Sequence, residues 1–315
     1  MRVLLWHVHG SWTTSFVQGG HDYLIPVLPD RGPCGRGRAR TWDWPPSAVE
    51  LAPAELRDAD VDLVVLQRPE DELLAARWLG RRPGRDVPAV WLEHNAPQGR
   101  VDDMRHPAAD RRDLTVVHVT HTNSLFWDCG STPTRVIEHG IVDPGHRYTG
   151  ELERVAVVVN EPGRRGRVTG TDLLAPLADT APLDVFGMGA GAVSGSRIAA
   201  FDDVPQDRMH DEVARRRAYL HPIRWTSLGL ALLEAMHLGL PVVALATTEV
   251  PEAVPPEAGV VSNRLDVLAA GLRRFVADPE DARTCGKAAR EAALARYGLP
   301  RFLAEWDQLM EEVVS

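Results

Sequence analysis

Cysteine, lysine and long apolar runs are all scarce in this chain of 315 residues. The three cysteines (Cys34, Cys129 and Cys285) lie far apart, so neither a disulfide framework nor a metal-binding cysteine pair is available. A reducing, cytoplasmic setting is expected. Lys287 is the single lysine among 35 basic residues. In so arginine-biased a composition no one arginine is automatically a phosphate ligand. No basic block exceeds Arg215-Arg216-Arg217 and the formal net charge is −9 with histidine neutral, which argues against a nucleic-acid partner. The apolar run Val3 to Trp6 falls far short of the roughly 20 residues that cross a bilayer, and it is too short for a secretory signal. No short-period repeat is present, which excludes solenoids and propellers. With 44% apolar and 25% charged residues, the chain has material for two cores and is not a disordered one.

Short apolar runs alternate with helical stretches, which predicts mostly parallel α/β structure. In the first half, strands are expected at 2–8, 61–67, 89–93, 115–120 and 134–137, with a helix at 70–79. In the second half, strands are expected at 155–159, 183–186, 241–246 and 259–261. Helices are expected at 171–178, 207–217, 228–238, 265–276 and 279–297, and a last amphipathic helix at 301–315. The stretch Asp143–Leu152, with its Pro, Gly and Tyr, marks the boundary. It separates an N-terminal α/β domain (1–147, with 301–315 crossing back onto it) from a C-terminal one (148–300). Two doubly wound domains of this kind would face a central cleft at the carboxyl ends of their strands, where such sheets bind ligands.

The segment from Leu220 to Asn263 is the most informative. Leu228–Leu238 reads as a helix with Ser227 as its N-cap, Gly239 as its C-terminal stop and Leu240-Pro241 blocking continuation. The helix start offers backbone N–H groups and positive dipole to a diphosphate, and Gly229 lets that backbone come close. Glu234 lies about 7–8 Å further along the axis, where a carboxylate can accept two hydrogen bonds from a ribose. These features describe a nucleotide site.

Thr226–Val243 (TSLGLALLEAMHLGLPVV) resembles the signature of retaining glycosyltransferases of the GT-B fold, particularly glycosyltransferase family 4. The resemblance extends outward in order. Gly163-Arg164 through Thr169-Gly170, with Asp172-Leu173-Leu174, is similar to the family's donor-phosphate loop. Val185-Phe186-Gly187-Met188-Gly189 resembles its V-x-G-x-G turn, and Val250-Pro251-Glu252 its V-P-E. Arg135–Asp143 resembles the stretch before the linker, and His94 follows a strand where the family carries a histidine. Three positions depart from the pattern. Thr226 replaces the first of two glutamates eight positions apart, Thr169 replaces the loop lysine, and Thr248-Glu249 replaces Gly-Gly.

The resemblance implies a GT-B fold of two Rossmann-like domains and a retaining, metal-independent transfer of sugar from a nucleotide-diphosphate donor to an acceptor hydroxyl. The nucleotide sugar is then a co-substrate and no cofactor is needed. The acceptor is a small molecule, a glycan or a lipid-linked species. Glu234 would hold the ribose; Thr226, Ser227, Leu228, Gly229, Gly187 and Thr169 would line the donor site. Arg164, with Arg165 and Arg167 as substitutes, would neutralise the leaving diphosphate, which itself takes the acceptor proton. His94 would bond a hydroxyl near the reacting sugar. A non-catalytic nucleotide-sugar-binding protein and a sugar-nucleotide epimerase are the alternatives. A phosphorylase is disfavoured, because Lys287 is badly placed for a pyridoxal Schiff base.

For the acceptor side, Gly10 and Ser11 are expected in a turn after the first strand, and Gln18–His21 in a second turn that moves the first helix to about His21. Trp12, Trp42 and Trp44 offer flat faces for a sugar, which ordinary packing explains equally well. Arg36, Arg38 and Arg40 could meet an anionic acceptor or simply be solvated. His7, His9, His118 and His121 lack a recognisable metal-ligand spacing, and Asp60-Val61-Asp62 reads as charge at a strand edge.

Overall fold

The apolar runs become the strands of two separate parallel sheets. In the computed structural model, which describes residues 1–315, the first unit comprises Met1–Val142 with Leu299–Ser315, and the second Asp143–Gly298. The first unit holds β1 (Arg2–Leu5), β2 (Asp22–Pro26), β3 (Ala48–Leu51), β4 (Leu63–Leu66), β5 (Ala89–Glu93), β6 (Thr115–His118) and β7 (Thr134–Val136). Its connections carry α1 (Gly10–Phe16), α2 (Pro53–Leu56), α3 (Pro69–Leu79) and α4 (His121–Phe126). The strand order is β3-β2-β1-β4-β5-β6-β7, so the winding reverses between β1 and β4.

The second unit holds β8 (Leu152–Val158), β9 (Leu183–Gly187), β10 (Ile198–Asp202), β11 (Arg216–His221), β12 (Val242–Ala244) and β13 (Gly259–Val261). Its helices are α5 (Pro162–Arg165), α6 (Thr171–Ala178), α7 (Gln206–Ala214), α8 (Leu230–Leu238), α9 (Val250–Ala253), α10 (Leu265–Ala277) and α11 (Pro279–Tyr297). The order β10-β9-β8-β11-β12-β13 reverses between β8 and β11, which is again the doubly wound pattern. The segment entering this unit is tied to it by Asp143 on Arg290 (2.7 Å), Arg147 on Asp211 (2.9 Å) and the Tyr148 hydroxyl, which donates to the Arg217 carbonyl (2.9 Å). No helix is long and apolar enough to cross a membrane.

Several elements differ from the sequence expectation. The first helix begins at Gly10, not near His21, and His21 instead leads into β2. The strand wins because Tyr23, Leu24 and Ile25 are all buried between β1 and β3. The helix expected at 207–217 ends at Ala214, and Arg216-Arg217 open β11, a central strand. Their polar heads hid it. Arg216 is buried with its guanidinium on Asp184 (2.8 Å) and over the rings of Phe186 and Phe201, and Arg217 donates to the carbonyls of Gly150 and Val276. A charged stem can line a core when its head is fully bonded.

The chain closes with α12 (Leu299–Val314), which belongs to the first unit. Its apolar stripe, Phe302, Trp306, Leu309 and Met310, is buried. Trp306 is 0% exposed and meets Trp12 and Phe16 edge-to-face at centroid distances of 5.6 and 5.0 Å. Trp12 is therefore packing, not a face open to a sugar. Polar ties surround the seam: Arg301 donates to the His139 carbonyl (2.7 Å), and His21 Nε2 meets Asp307 at 2.9 Å. His21, expected at the acceptor, is occupied by that pairing. Trp306→Ala is expected to lower the unfolding free energy of the first unit by about 3–5 kcal/mol. The rim pair Arg135–Glu312 should contribute at most about 1 kcal/mol when broken by Arg135→Ala. Urea titration followed by tryptophan fluorescence checks both.

Candidate functional site

In a doubly wound sheet, ligands bind beyond the strand ends where the order reverses. In the second unit these ends are those of β8 and β11. After β11 the chain runs through Pro222–Ser227 to Gly229, which is the N-cap of α8 and supplies no side-chain bond. Ser227, expected to cap, sits two residues too early and is buried, as is Leu228. The first-turn amides of α8 thus have no side-chain cap, and the helix dipole points outward there. Gly229 is required for a reason internal to the fold. A Cβ at this position would come within 2.4 Å of the His221 ring. His221 is buried with both ring nitrogens unpartnered, and burial pushes its pKa down to about 4.

Every residue of α8 from Leu232 to Leu238 is buried, Glu234 among them at 6% exposed. A carboxylate in so apolar a helix needs partners. Gln206 Nε2 donates to Glu234 Oε2 at 2.8 Å, and His210 Nε2 stands 3.4 Å from the same oxygen. Because α8 begins at Leu230, Glu234 lies little more than one turn, roughly 6 Å, above the helix start. An anion-favouring helix end and a hydrogen-bonding carboxylate therefore share one short segment.

After β8, Glu161 takes a left-handed backbone (φ 53°) and starts α5. Arg164 is largely exposed (74%) and pairs with Glu161. Arg165 is half-buried with no carboxylate bonded to it, and burial, reinforced by Arg164, lowers its pKa. Arg167 is held by Asp172 at 2.9 Å, and so is Arg224. Thr169, expected to offer its hydroxyl to a diphosphate, is 1% exposed and spends it inside the loop. Its Oγ1 donates to the Gly166 carbonyl and lies 3.0 Å from Thr171 Oγ1, which donates to the Pro162 carbonyl. Gly187 ends β9 at φ 130°, where a Cβ would strike the Val159 carbonyl oxygen at 2.3 Å. Thr226 is half-buried in the turn before α8.

In the first unit the reversing strands β1 and β4 end at Leu5 and Leu66. Trp6–His9 leaves the ladder by a tight turn, and Gly10 and Ser11 open α1 instead of ending a strand. Gln67 follows β4 and is buried. Its Nε2 donates to the Trp6 carbonyl (2.7 Å), so its Oε1 must accept from His94 Nε2 (3.1 Å). That chain fixes the His94 tautomer and leaves the Nδ1 lone pair as an acceptor. His94 lies against His9 with ring centroids 3.9 Å apart and planes tilted by 43°, and burial holds its pKa well below the usual imidazole value. His139, 2% exposed, depresses the charging of His94 further and is itself depressed by His9, and neither of its nitrogens has a partner. Sequence reasoning missed Gln67, His139, Gln206 and His210. The one signal was a polar residue directly after an apolar run at Gln67.

Five of the remaining candidates, Arg38, Trp44, His7, His118 and Asp62, have partners within the fold. Arg38 donates to the carbonyls of Trp44, Pro45 and Ala48, and Trp44 Nε1 donates to Thr14 Oγ1. His7 Nδ1 donates to the Gly37 carbonyl at 3.0 Å, and His118 faces Cys129 Sγ at 3.6 Å. Asp62 accepts from the Arg2 amide.

Residues 197–292 match the family described as glycosyl transferases group 1. Sulfoquinovosyl transferase SQD2 of Arabidopsis thaliana is 27% identical over 208 residues, which is 58% of this chain and 39% of that relative. The matched part thus spans well under two thirds of the curated relative. Sucrose-phosphate synthase from Thermosynechococcus elongatus superposes with a TM-score of 0.76 at 15% identity, covering 99% of this chain and 98% of that one. HepE from Anabaena, in complex with UDP-glucose, superposes with a TM-score of 0.68 at 14% identity, covering 99% and 100%. Both chains share the two-sheet fold described above.

Burial lowers His9 and His118 to about 4 and His139 to about 3, while an unfolded histidine titrates near 6.5. Below about 6.5 the unfolded chain gains protons that the native chain refuses, so the stability these groups confer is complete above that value and is lost as pH falls toward 4. The thermal midpoint should therefore drop steadily from pH 7 to pH 4.5. His139→Leu should raise the midpoint at pH 7 and flatten the slope, as followed by scanning calorimetry. A flat profile for the wild type would contradict the assignment of neutral imidazoles.

Proposed function

We propose that the chain is a retaining glycosyltransferase of the group 1 family that uses a nucleotide-diphosphate sugar, a reading supported by the family match over residues 197–292 and by the two-sheet fold shared with sucrose-phosphate synthase and HepE. The observation that carries this reading is Glu234, a buried carboxylate one turn above the uncapped start of α8. Its oxygens accept from the ribose hydroxyls while the first-turn amides of α8 take the diphosphate. The donor is a UDP-sugar, the ligand class that HepE was captured with.

As the bond from the sugar anomeric carbon to the phosphate oxygen breaks, charge builds on the diphosphate. Arg165, half-buried and hydrogen-bonded to no carboxylate, and Arg164 on the same short helix stabilise it together with the α8 amides, with no metal required. The acceptor hydroxyl bonds to the anomeric carbon on the same face, and its proton passes to the departing phosphate oxygen. The first unit receives the acceptor. There the His94 Nδ1 lone pair accepts from a sugar hydroxyl, with Gln67 holding the ring.

A second reading, a protein that binds nucleotide sugar without transferring it, draws support from Thr169, whose hydroxyl is turned into its own loop. Hydrolysis or transfer from UDP-glucose above the buffer rate rejects it. For the main reading, Glu234→Gln should weaken UDP binding by about 10- to 100-fold, because a hydrogen bond to a charged acceptor is replaced by a neutral one. Arg165→Ala should lower kcat by about 10²-fold, with a smaller change in UDP affinity. Isothermal titration and donor turnover measure the two. Unchanged UDP affinity in Glu234→Gln would remove the donor assignment.

A further inference from the structure

Glu234 does not stand alone in its helix. Gln206 and His210 lie four residues apart in α7, and so on one face of that helix. Gln206 Nε2 is 2.8 Å from Glu234 Oε2 and 2.8 Å from His210 Nε2, and His210 Nε2 is 3.4 Å from Glu234 Oε2. The two amide protons of Gln206 go to Glu234 Oε2 and to His210 Nε2, so the imidazole anchors the amide that holds the carboxylate oxygen. His210 and Glu234 are both buried. The backbone beneath is fixed too. Pro205 precedes α7, the buried Met209, Val213 and Ala214 hold its inner face, and Ala214 leads directly into β11.

We infer that Gln206 and His210 are positioning residues that aim the Glu234 carboxylate at the ribose diol of a nucleoside diphosphate. This inference rests on the donor reading above. A glutamate side chain rotates freely about its last torsion, and its carboxylate turns with it. Clamping Oε2 from α7 stops that rotation and fixes where the remaining lone pairs point. A diol needs acceptor directions set in advance, because orienting the carboxylate at the moment of binding would cost the entropy that the clamp has already removed. The arrangement also accounts for a polar pair on the inner side of α7, where packing alone would favour aliphatic residues. The reading thereby gains its recognition element: hydroxyl groups on the pentose, read by a carboxylate whose orientation is set by the helix before β11.

The test uses the full chain and two probes, UDP and its 2′,3′-dideoxy analogue, each titrated by calorimetry. The wild type should prefer UDP by tenfold or more, since the analogue lacks the hydroxyls that donate to Glu234. Gln206→Met keeps the length and apolar stem of the side chain but removes both amide protons. It should weaken UDP by about fivefold while leaving the analogue almost unchanged, so that the preference collapses toward one. His210→Asn should reduce the preference in the same direction, and it serves if Gln206→Met does not fold. A purely structural role would weaken both nucleotides equally and keep their ratio, and that result overturns the inference. A wild type that binds UDP and the analogue equally well also overturns it. A wild type that binds neither probe overturns the donor reading itself, which is a different failure and is seen before any variant is made.

Discussion

A carboxylate buried in a covered, largely apolar helix of the second unit is the constraint around which the rest is arranged. Helix α8 is covered from Leu232 to Leu238, and no hydrophobic gain comes from placing Glu234 there. A carboxylate taken out of water needs hydrogen bonds around it, and α7 supplies one through Gln206, whose amide also meets His210. The helix start below it carries no side-chain cap, and Gly229 is fixed there by the His221 ring against its Cα. A protein optimised for stability alone would cap that helix and fill the Glu234 position with leucine. Both departures fall on the same segment, at the strand end where a doubly wound sheet places its ligands.

The first unit follows the same logic with different chemistry. Its strand ends carry imidazoles in place of carboxylates: His9 after β1, His94 after β5 and His139 after β7. Gln67, after β4, converts one of them into a ring of known tautomer by linking His94 to the Trp6 carbonyl. Aromatic packing carries the burden elsewhere. Trp12, Phe16, Phe302 and Trp306 join the closing helix to α1, so the residues nearest the strand ends are held from behind by a rigid ring cluster. Preorganisation of this kind matters for a reaction whose electrostatic stabilisation must be in place before charge moves.

Much of this is legible in the sequence, and the gaps have physical causes. Parallel strands buried on both faces read as plain apolar runs, which is why 89–93 is found at its observed bounds. Strand β11 is hidden because Arg216 and Arg217 place charged heads where an apolar run is sought, and their hydrogen-bonded burial is a tertiary fact. Strand β3 is hidden because an edge strand is half exposed and its pattern is weak. Among candidate site residues, Glu234 stood out because its distance from a helix start is fixed by 1.5 Å per residue. Ser227 was misread as the cap because capping preference alone cannot count how many residues the turn before α8 consumes. Trp12 and His21 were misread because their partners, Trp306 and Asp307, lie nearly three hundred residues away. Gln206 and His210 carry no local signature at all, since only the packing of α7 on α8 brings them to Glu234.

The central claim is that one short segment, from Gly229 to Glu234, reads both ends of a nucleoside diphosphate. A crystal structure of the chain grown with UDP tests it most directly. The account predicts diphosphate oxygens on the first-turn amides of α8 and ribose hydroxyls within hydrogen-bond distance of the Glu234 carboxylate, with Gln206 still on Oε2. Nucleotide density at any other strand end, or a ribose that leaves Glu234 without contact, would contradict it.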